Sequence, residues 1–274
     1  MNKLDVRTQE SVISSLVEGM SIRSIERITS VQRDTITRLL VPVGDACEGL
    51  MDGMMHNLPC RRIELDEIWC YVGKKQRHVA ETDDPSRVGD FWTFVALDAD
   101  TKLVPTYAVG KRDAPTANAF MCDLASRLAN RVQLSSDALR LYVEAIERGF
   151  GGEVDYAQIV KSYEAEPIGP GRYSPPKVVA IEKDRLVGAP DMNRASTAFV
   201  ERQNLHMRMA MRRFTRLTNA FSKKVENLEA AVALHFAHYN FVRIHGTLKA
   251  TPAMASGVTS RPWTVHELVR LSNW

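Results

Sequence analysis

The sequence contains no run of 18 apolar residues and opens without a basic-then-apolar leader, so it predicts neither a membrane span nor a secretory segment. Cysteine is scarce and scattered. Cys47, Cys60, Cys70 and Cys122 form no Cys-x-x-Cys pair, which argues against a disulfide framework or a zinc ribbon. Cys47, His56 and Cys60 can be imagined around a metal, but ordinary reduced cysteines are the simpler reading. Repeats and low-complexity tracts are missing, and so is a strong charge bias: the net charge is +3 and the pI about 8.7. That balance is compatible with a nucleic-acid partner and does not require one. An apolar content of 45% over 274 residues supports a real core and excludes a disordered chain. One large domain with a small appendage is expected, in a cytoplasmic, soluble protein.

What is present begins with three short helical patterns. Val12, Ile13, Leu16 and Val17 recur at helical spacing; Gly19 breaks the run, and Ser21 caps a second helix with Ile22, Ile25 and Ile28 facing inward. After a turn near Thr29-Ser30, a third helix buries Val31, Ile36, Leu39 and Leu40. It presents Gln32, Arg33, Thr35, Thr37 and Arg38 on its other face. Helix, short turn, then a helix with long polar side chains is a helix-turn-helix pattern; a plain three-helix bundle with a solvated face is the alternative. We take residues 1–45 as this domain and 46–60 as a linker helix, weakened by Gly49 and Gly53 and ended by Pro59.

Strand-like sequence follows. Ile63, Leu65, Ile68 and Trp69 mark a first strand, Phe91–Leu97 a second, and Leu103–Val109 a third, with 98–102 as the polar turn of a hairpin. Ala114–Asn130 reads as a helix, Val132–Ser136 as a short strand, Leu139–Arg148 as a helix and Val178–Glu182 as a further strand. The stretch at about 150–176, rich in Gly, Pro and Tyr, reads as an insertion or long loop. Long helices are expected over about Thr197–Arg213 and Lys223–Val242, with a last one at Val265–Leu271. This is a mixed-sheet α/β layout over 61–222 with a helical extension over 223–274.

Three acids stand in distinctive settings. Asp66 lies in Glu64-Leu65-Asp66-Glu67-Ile68-Trp69, on the first strand. Asp137 ends Leu134-Ser135-Ser136-Asp137, at the carboxyl end of the fourth strand, where ligands of open α/β sheets gather. Glu201 lies one turn into a following helix, in Phe199-Val200-Glu201-Arg202-Gln203-Asn204-Leu205. Two strand aspartates and a helical glutamate are what two divalent metals need to be held against a phosphodiester. Mg²⁺ prefers oxygen ligands, and a pair of ions serves both ends of an in-line displacement. Each acid has a competing reading: Asp137 as a helix cap, Glu201 as a surface partner of a nearby arginine, Asp66 as one of the chain's 33 acids, most of them solvated. Glu67 is expected on the opposite face of the strand from Asp66, and Glu64 on the same face as a weaker alternative.

Beyond Glu201 the chain turns basic. Arg202, Arg208, Arg212, Arg213 and Arg216 fall within fifteen residues, with Leu205, Met209 and Phe214 expected to anchor the stretch. Arg208, two turns from Glu201, is placed to steady phosphates beside metals; a solvated arginine face is the alternative. His235 and His238, at i and i+3, lack a third ligand at matching spacing, so packed or DNA-facing residues are expected.

Asp66-Glu67-Ile68-Trp69, Ser136-Asp137-Ala138 and Val200-Glu201-Arg202-Gln203-Asn204-Leu205-His206-Met207-Arg208 together resemble the DDE transposases of the insertion-sequence-one class. Arg213–Ser222, Tyr239–His245 and Thr251–Ala255 extend the resemblance over most of residues 6–271. It implies an RNase H-like mixed sheet flanked by helices, an N-terminal helix-turn-helix domain that binds terminal inverted repeats, and two Mg²⁺ ions, with Mn²⁺ able to substitute. The family's acids map to Asp66, Asp137 and Glu201, and its basic helix residue to Arg208. It further implies double-stranded DNA partners (element ends and target), a homodimer or higher homo-oligomer, and a nucleoid-associated location in a bacterium. Two departures stand out: the cysteine zinc ribbon common in relatives is missing, which shifts end recognition onto the helix-turn-helix, and Ala138 replaces a common glycine. A domesticated DNA-binding regulator without catalysis, and an RNase H-like nuclease that cleaves without joining, are the alternatives.

Overall fold

Helix α1 (Val6–Val17) starts where the Asp5 carboxylate accepts the Thr8 N–H, and α2 (Ile22–Thr29) where the Ser21 hydroxyl accepts that of Ser24. Ser30, in the left-handed region at φ 59°, ends α2 and turns the chain into α3 (Arg33–Met54). The computed structural model describes residues 3–164, 177–215, 218–272 and 274. The expected third helix and the expected linker helix form this one element, which continues through Pro42. Proline normally breaks a helix interior, but packing overrides it here: Leu39, Leu40, Val43 and Cys47 are fully buried.

Strand β1 (Arg62–Val72) pairs antiparallel with β2 (Gly89–Asp98), which pairs antiparallel with β3 (Tyr107–Gly110). Helix α4 (Ala114–Arg127) then crosses to β4 (Val132–Asp137), parallel to β1. Helix α5 (Leu141–Phe150) crosses to β5 (Val154–Glu164), parallel to β4, and β6 (Lys177–Val187) returns antiparallel to β5. Among the described residues the sheet order is β3-β2-β1-β4-β5-β6. This is the mixed RNase H-like sheet flanked by helices.

Ile28, expected to face inward, is exposed, and two readings of the sheet also need correction. The third strand is shorter than its apolar run, because Pro105 has no N–H to give the ladder. Instead the side-chain amide of Asn240 serves the buried Val104 backbone, accepting its N–H at 3.0 Å and donating to its carbonyl at 2.9 Å. The supposed loop from 150 holds β5, whose Val154, Tyr156, Ala157 and Ile159 are buried; residues 165–176 lie outside the described residues.

Alternation along β1 splits its side chains between two layers. On one face Phe94, paired with Glu67, contacts Phe120 of α4 and Tyr142 of α5. The other face carries α6 (Ala198–Ala210) and α7 (Val225–Ala237). Asn204 of α6 reaches Asp66, and Phe236 of α7 stacks on Tyr107 at 4.9 Å. A 3-10 turn (Arg212–Phe214) ends the first of these helices early, and a π-turn (His238–Val242) finishes the second. Helices α8 (Pro252–Ala255) and α9 (Val265–Leu271) close the chain. Helix α3 packs on α7, and one contiguous apolar cluster runs from α1–α3 through α7 into the sheet. No described helix is long and apolar enough to cross a membrane.

Candidate active site

Parallel pairing of Leu65 with Ser136 brings the end of β4 beside Asp66. Asp137, the last residue of β4, therefore sits at a gap that Asp66 approaches from the α6 side and Glu67 from the α5 side. Oxygens of Asp66, Glu67 and Asp137 lie within 4.8 Å of one another, and these are the only three or more clustered metal-ligating side chains among the described residues. Strand alternation does set Glu67 opposite Asp66, yet its carboxylate joins the cluster because Asp137 lies between the two faces. Sequence reasoning set Glu67 aside; the signal for it was its position next to Asp66 on the strand.

Each acid is held. Asp66 Oδ2 accepts from Asn204 Nδ2 at 2.8 Å. Asp137 Oδ1 accepts the Leu139 N–H at 3.0 Å, part of the local turn that leads into α5. Glu67 pairs with Arg112 and accepts from the buried Tyr142 hydroxyl at 3.1 Å. Burial, then the charge of Glu67, pushes the Asp66 carboxyl up to about 7. Burial and Asp137 also raise Glu67, against the pull of Arg112 and Tyr142. Crowded carboxylates of this kind favour either a proton or a cation. A hard, all-oxygen donor set fits a divalent ion.

Glu201 is not in that cluster. Its half-exposed carboxylate pairs with Lys161 of β5 and accepts from Thr197 Oγ1 at 2.7 Å. Three residues on along α6 is Asn204, which bonds Asp66. Residues three apart on a helix are neighbours, with Cβ atoms about 5–6 Å apart, so Glu201 stands one helical step from the residue that bonds Asp66.

The placement of α6 itself depends on Glu64. Its buried carboxylate accepts the Phe199 and Val200 N–H groups at 2.7 and 3.0 Å, meeting orphan donors at the first turn. Burial raises this carboxyl and the two backbone bonds oppose that rise. Glu64 is thus an anchor for the helix that carries Glu201.

The basic residues spread over two regions. On α2–α3, Gln32 is exposed at the N-cap position of α3 without a side-chain capping bond, Arg33 pairs with Glu26 at 3.0 Å, Thr37 bonds back to the Arg33 carbonyl, and Arg38 reaches Thr35. Beyond Glu201, Arg202 and Arg212 are exposed and Arg208 is half-buried. Arg213 donates to Ser222 Oγ at 2.8 Å, and burial lowers it to about 10. Arg216 lies outside the described residues. Leu205 and Met209 do not anchor α6; they are exposed, whereas Val200, Gln203, Asn204 and Met207 form its buried side, and Phe214 is buried. His235 is packed against His206 and Phe236, the latter ring 5.2 Å away.

No protein-family model matches the chain, and no curated protein matches it. Among solved structures, a piggyBac transposase synaptic complex with hairpin DNA is similar at 9% identity, over 97% of this chain and 69% of that one, with a TM-score of 0.49. A Mos1 strand transfer complex is similar at 14% identity, TM-score 0.22, and a Mos1 mariner paired-end complex with Mn at 11%, TM-score 0.21. The alignments cover 54% of this chain and little more than half of the Mos1 chains (56% and 57%). At TM-scores below 0.5 these likenesses carry no argument about what this chain does.

Proposed function

We propose that this protein is a DDE transposase of the insertion-sequence-one class, which binds the inverted repeats at element ends and carries out Mg²⁺-dependent strand cleavage and strand transfer. The observation that supports it most is the carboxylate cluster of Asp66, Glu67 and Asp137 at the end of β4, beside α6, whose Asn204 bonds Asp66 and which carries Glu201 one helical step before Asn204. Asp66, Asp137 and Glu201 would hold two Mg²⁺ ions. When bound, the ions supply an activated nucleophile and charge stabilisation for the oxygens of an in-line displacement.

The chain's own residues orient and hold. Asn204 fixes the Asp66 carboxylate toward α6, Glu64 fixes the start of α6, and Arg112 with Tyr142 draws Glu67 toward the α5 side. Lys161 pairs with Glu201. In the first reaction a water oxygen bonds to the phosphorus that joins the element to flanking DNA and the P–O3′ bond to the element's terminal nucleotide breaks, leaving a 3′-hydroxyl on the element and a 5′-phosphate on the flank. In the second that hydroxyl attacks a target phosphodiester, one P–O bond forming as another breaks, so no ATP is needed. Arg202, Arg208, Arg212 and Arg213 would steady the backbone phosphates.

Residues 1–45 would grip the repeat through Gln32, Arg33, Thr35, Thr37 and Arg38, and two ends held together call for a homodimer or larger assembly. The test uses labelled terminal-repeat DNA with Mg²⁺. Asp66→Ala, Asp137→Ala and Glu201→Ala should each abolish joining and leave end binding largely intact. Joining by any of the three defeats the assignment. A mobility shift with no nick from the unaltered protein would establish a DNA-binding regulator in its place.

A further inference from the structure

Only 7% of the chain is aromatic, yet four rings gather at one end of the sheet. Trp69 and Tyr71 follow Glu67 on the same side of β1, their centroids 5.9 Å apart. Phe221 adds a third ring 4.7 Å from Tyr71. Trp92 is the direct partner of Trp69 across β1 and β2. Phe221 is positioned by a strand-like contact, the Gly73 N–H donating to the Ser222 carbonyl at 2.8 Å. All four rings are only half-buried. They lie on the face that Phe94 and Glu67 share with α4 and α5, displaced toward the end of β1 where Phe120 and Tyr142 no longer reach. Half-open aromatic rings gathered in one place offer their faces to a ligand.

Its surroundings are cationic. The Lys75 ammonium lies 5.8 Å over the Tyr71 ring. Phe221 is also a wall of a groove of about 1360 Å³ that runs to α2 and α3. Among that groove's lining, Arg23, Arg212, Lys223 and Lys224 make no ion pair with a described residue. Of the nearby acids, Glu67 pairs with Arg112, Asp90 accepts the Gln76 N–H at 3.2 Å, Glu226 pairs with Arg87 and Glu26 with Arg33, while Asp34 also lines the groove.

We propose that Trp69, Tyr71 and Phe221 form a stacking platform for unpaired bases of a single DNA strand, whose phosphates follow the cationic groove. Aromatic faces beside a basic track are how proteins hold single strands without regard to sequence. At ~3.3 Å per residue, Tyr71 lies roughly 13 Å along β1 from Glu67, so a strand on the platform points from the groove to the acidic cluster. That direction rests on the proposed transposase reading; the base stacking does not.

The test is fluorescence anisotropy with two labelled strands of about ten units, oligothymidylate and an abasic spacer strand with the same number of phosphates, without divalent metal. The unaltered protein should bind oligothymidylate about tenfold tighter or more, each stacked base being worth that order. Tyr71→Ala and Phe221→Ala should each weaken it about fivefold or more without changing the salt slope, which counts phosphate contacts. Tyr71→Phe should retain binding. Equal binding of the two strands by the unaltered protein overturns the proposal even if a variant fails to fold. So does oligothymidylate binding unchanged in folded Tyr71→Ala. A protein that joins no DNA would leave these expectations standing, so the two proposals fail separately.

Discussion

Asn204 Nδ2 lies 2.8 Å from Asp66 Oδ2, joining the buried side of α6 to the acid at the middle of β1. This bond sets which way the Asp66 carboxylate turns in a cluster that otherwise repels it. Asn204→Ala should therefore lower strand cleavage about 10–100-fold, the usual cost of losing a group that orients a metal ligand. Asn204→Asp should do at least as much harm by adding a carboxylate. Mg²⁺ titrations of the cleavage rate check both; full activity in Asn204→Ala at ordinary Mg²⁺ would remove the residue from the account.

Lys161 and Mg²⁺ compete for Glu201 in the proposed mechanism. A part-exposed ion pair is worth about 0.2–1 kcal/mol, so Lys161→Met should lower the half-saturating Mg²⁺ by up to about fivefold. The Mg²⁺ dependence of cleavage reads this directly. A higher Mg²⁺ requirement would show that Lys161 helps the active arrangement.

Gly44 is where α3 meets α7. A Cβ there would lie 2.4 Å from the Ala230 carbonyl oxygen and 2.5 Å from its Cα, and backbone cannot step aside as a side-chain tip can. Gly44→Ala should destabilise the chain by about 2 kcal/mol or more, seen as a lower Tm. Because α3 carries the proposed DNA-binding face, end binding should weaken with it.

Acid should loosen the histidine cluster. Burial, with Arg243 nearby, lowers His206 and His238 to about 4 and His235 well below its usual value. Below about pH 6.5 the unfolded chain takes up protons that the folded chain refuses. Stability from this cluster is thus full above that pH and is lost as pH falls toward 4, by up to about 1.4 kcal/mol per pH unit for each histidine. Urea unfolding at about pH 7 and pH 5 measures the loss, and His235→Leu should make it smaller.

The sequence disclosed the sheet and the positions of its acids for clear physical reasons. Asp66 is flanked by Leu65 and Ile68 on an alternating strand, and Asp137 closes the buried Leu134-Ser135-Ser136 run. Three features were hidden because they depend on contacts between distant segments. Strand β5 begins beside Gly151 and Gly152 and leads toward Gly- and Pro-rich sequence, which masked its alternation. Glu67 joins the cluster only because β4 ends beside it. The exposure of Leu205 and Met209 follows from Glu64 and Asp66 gripping α6 by Phe199, Val200 and Asn204, which turns the Val200–Asn204–Met207 side inward.

The central claim is that Asp66, Asp137 and Glu201, with Glu67 standing aside, hold the metal ions. Calorimetric titration with Mn²⁺ tests it most directly. The unaltered protein should bind two ions, as a two-metal site requires; Asp66→Asn, Asp137→Asn and Glu201→Gln should each lose at least one, and Glu67→Gln should keep both. Two ions retained by Glu201→Gln, with a site lost in Glu67→Gln, would contradict the account.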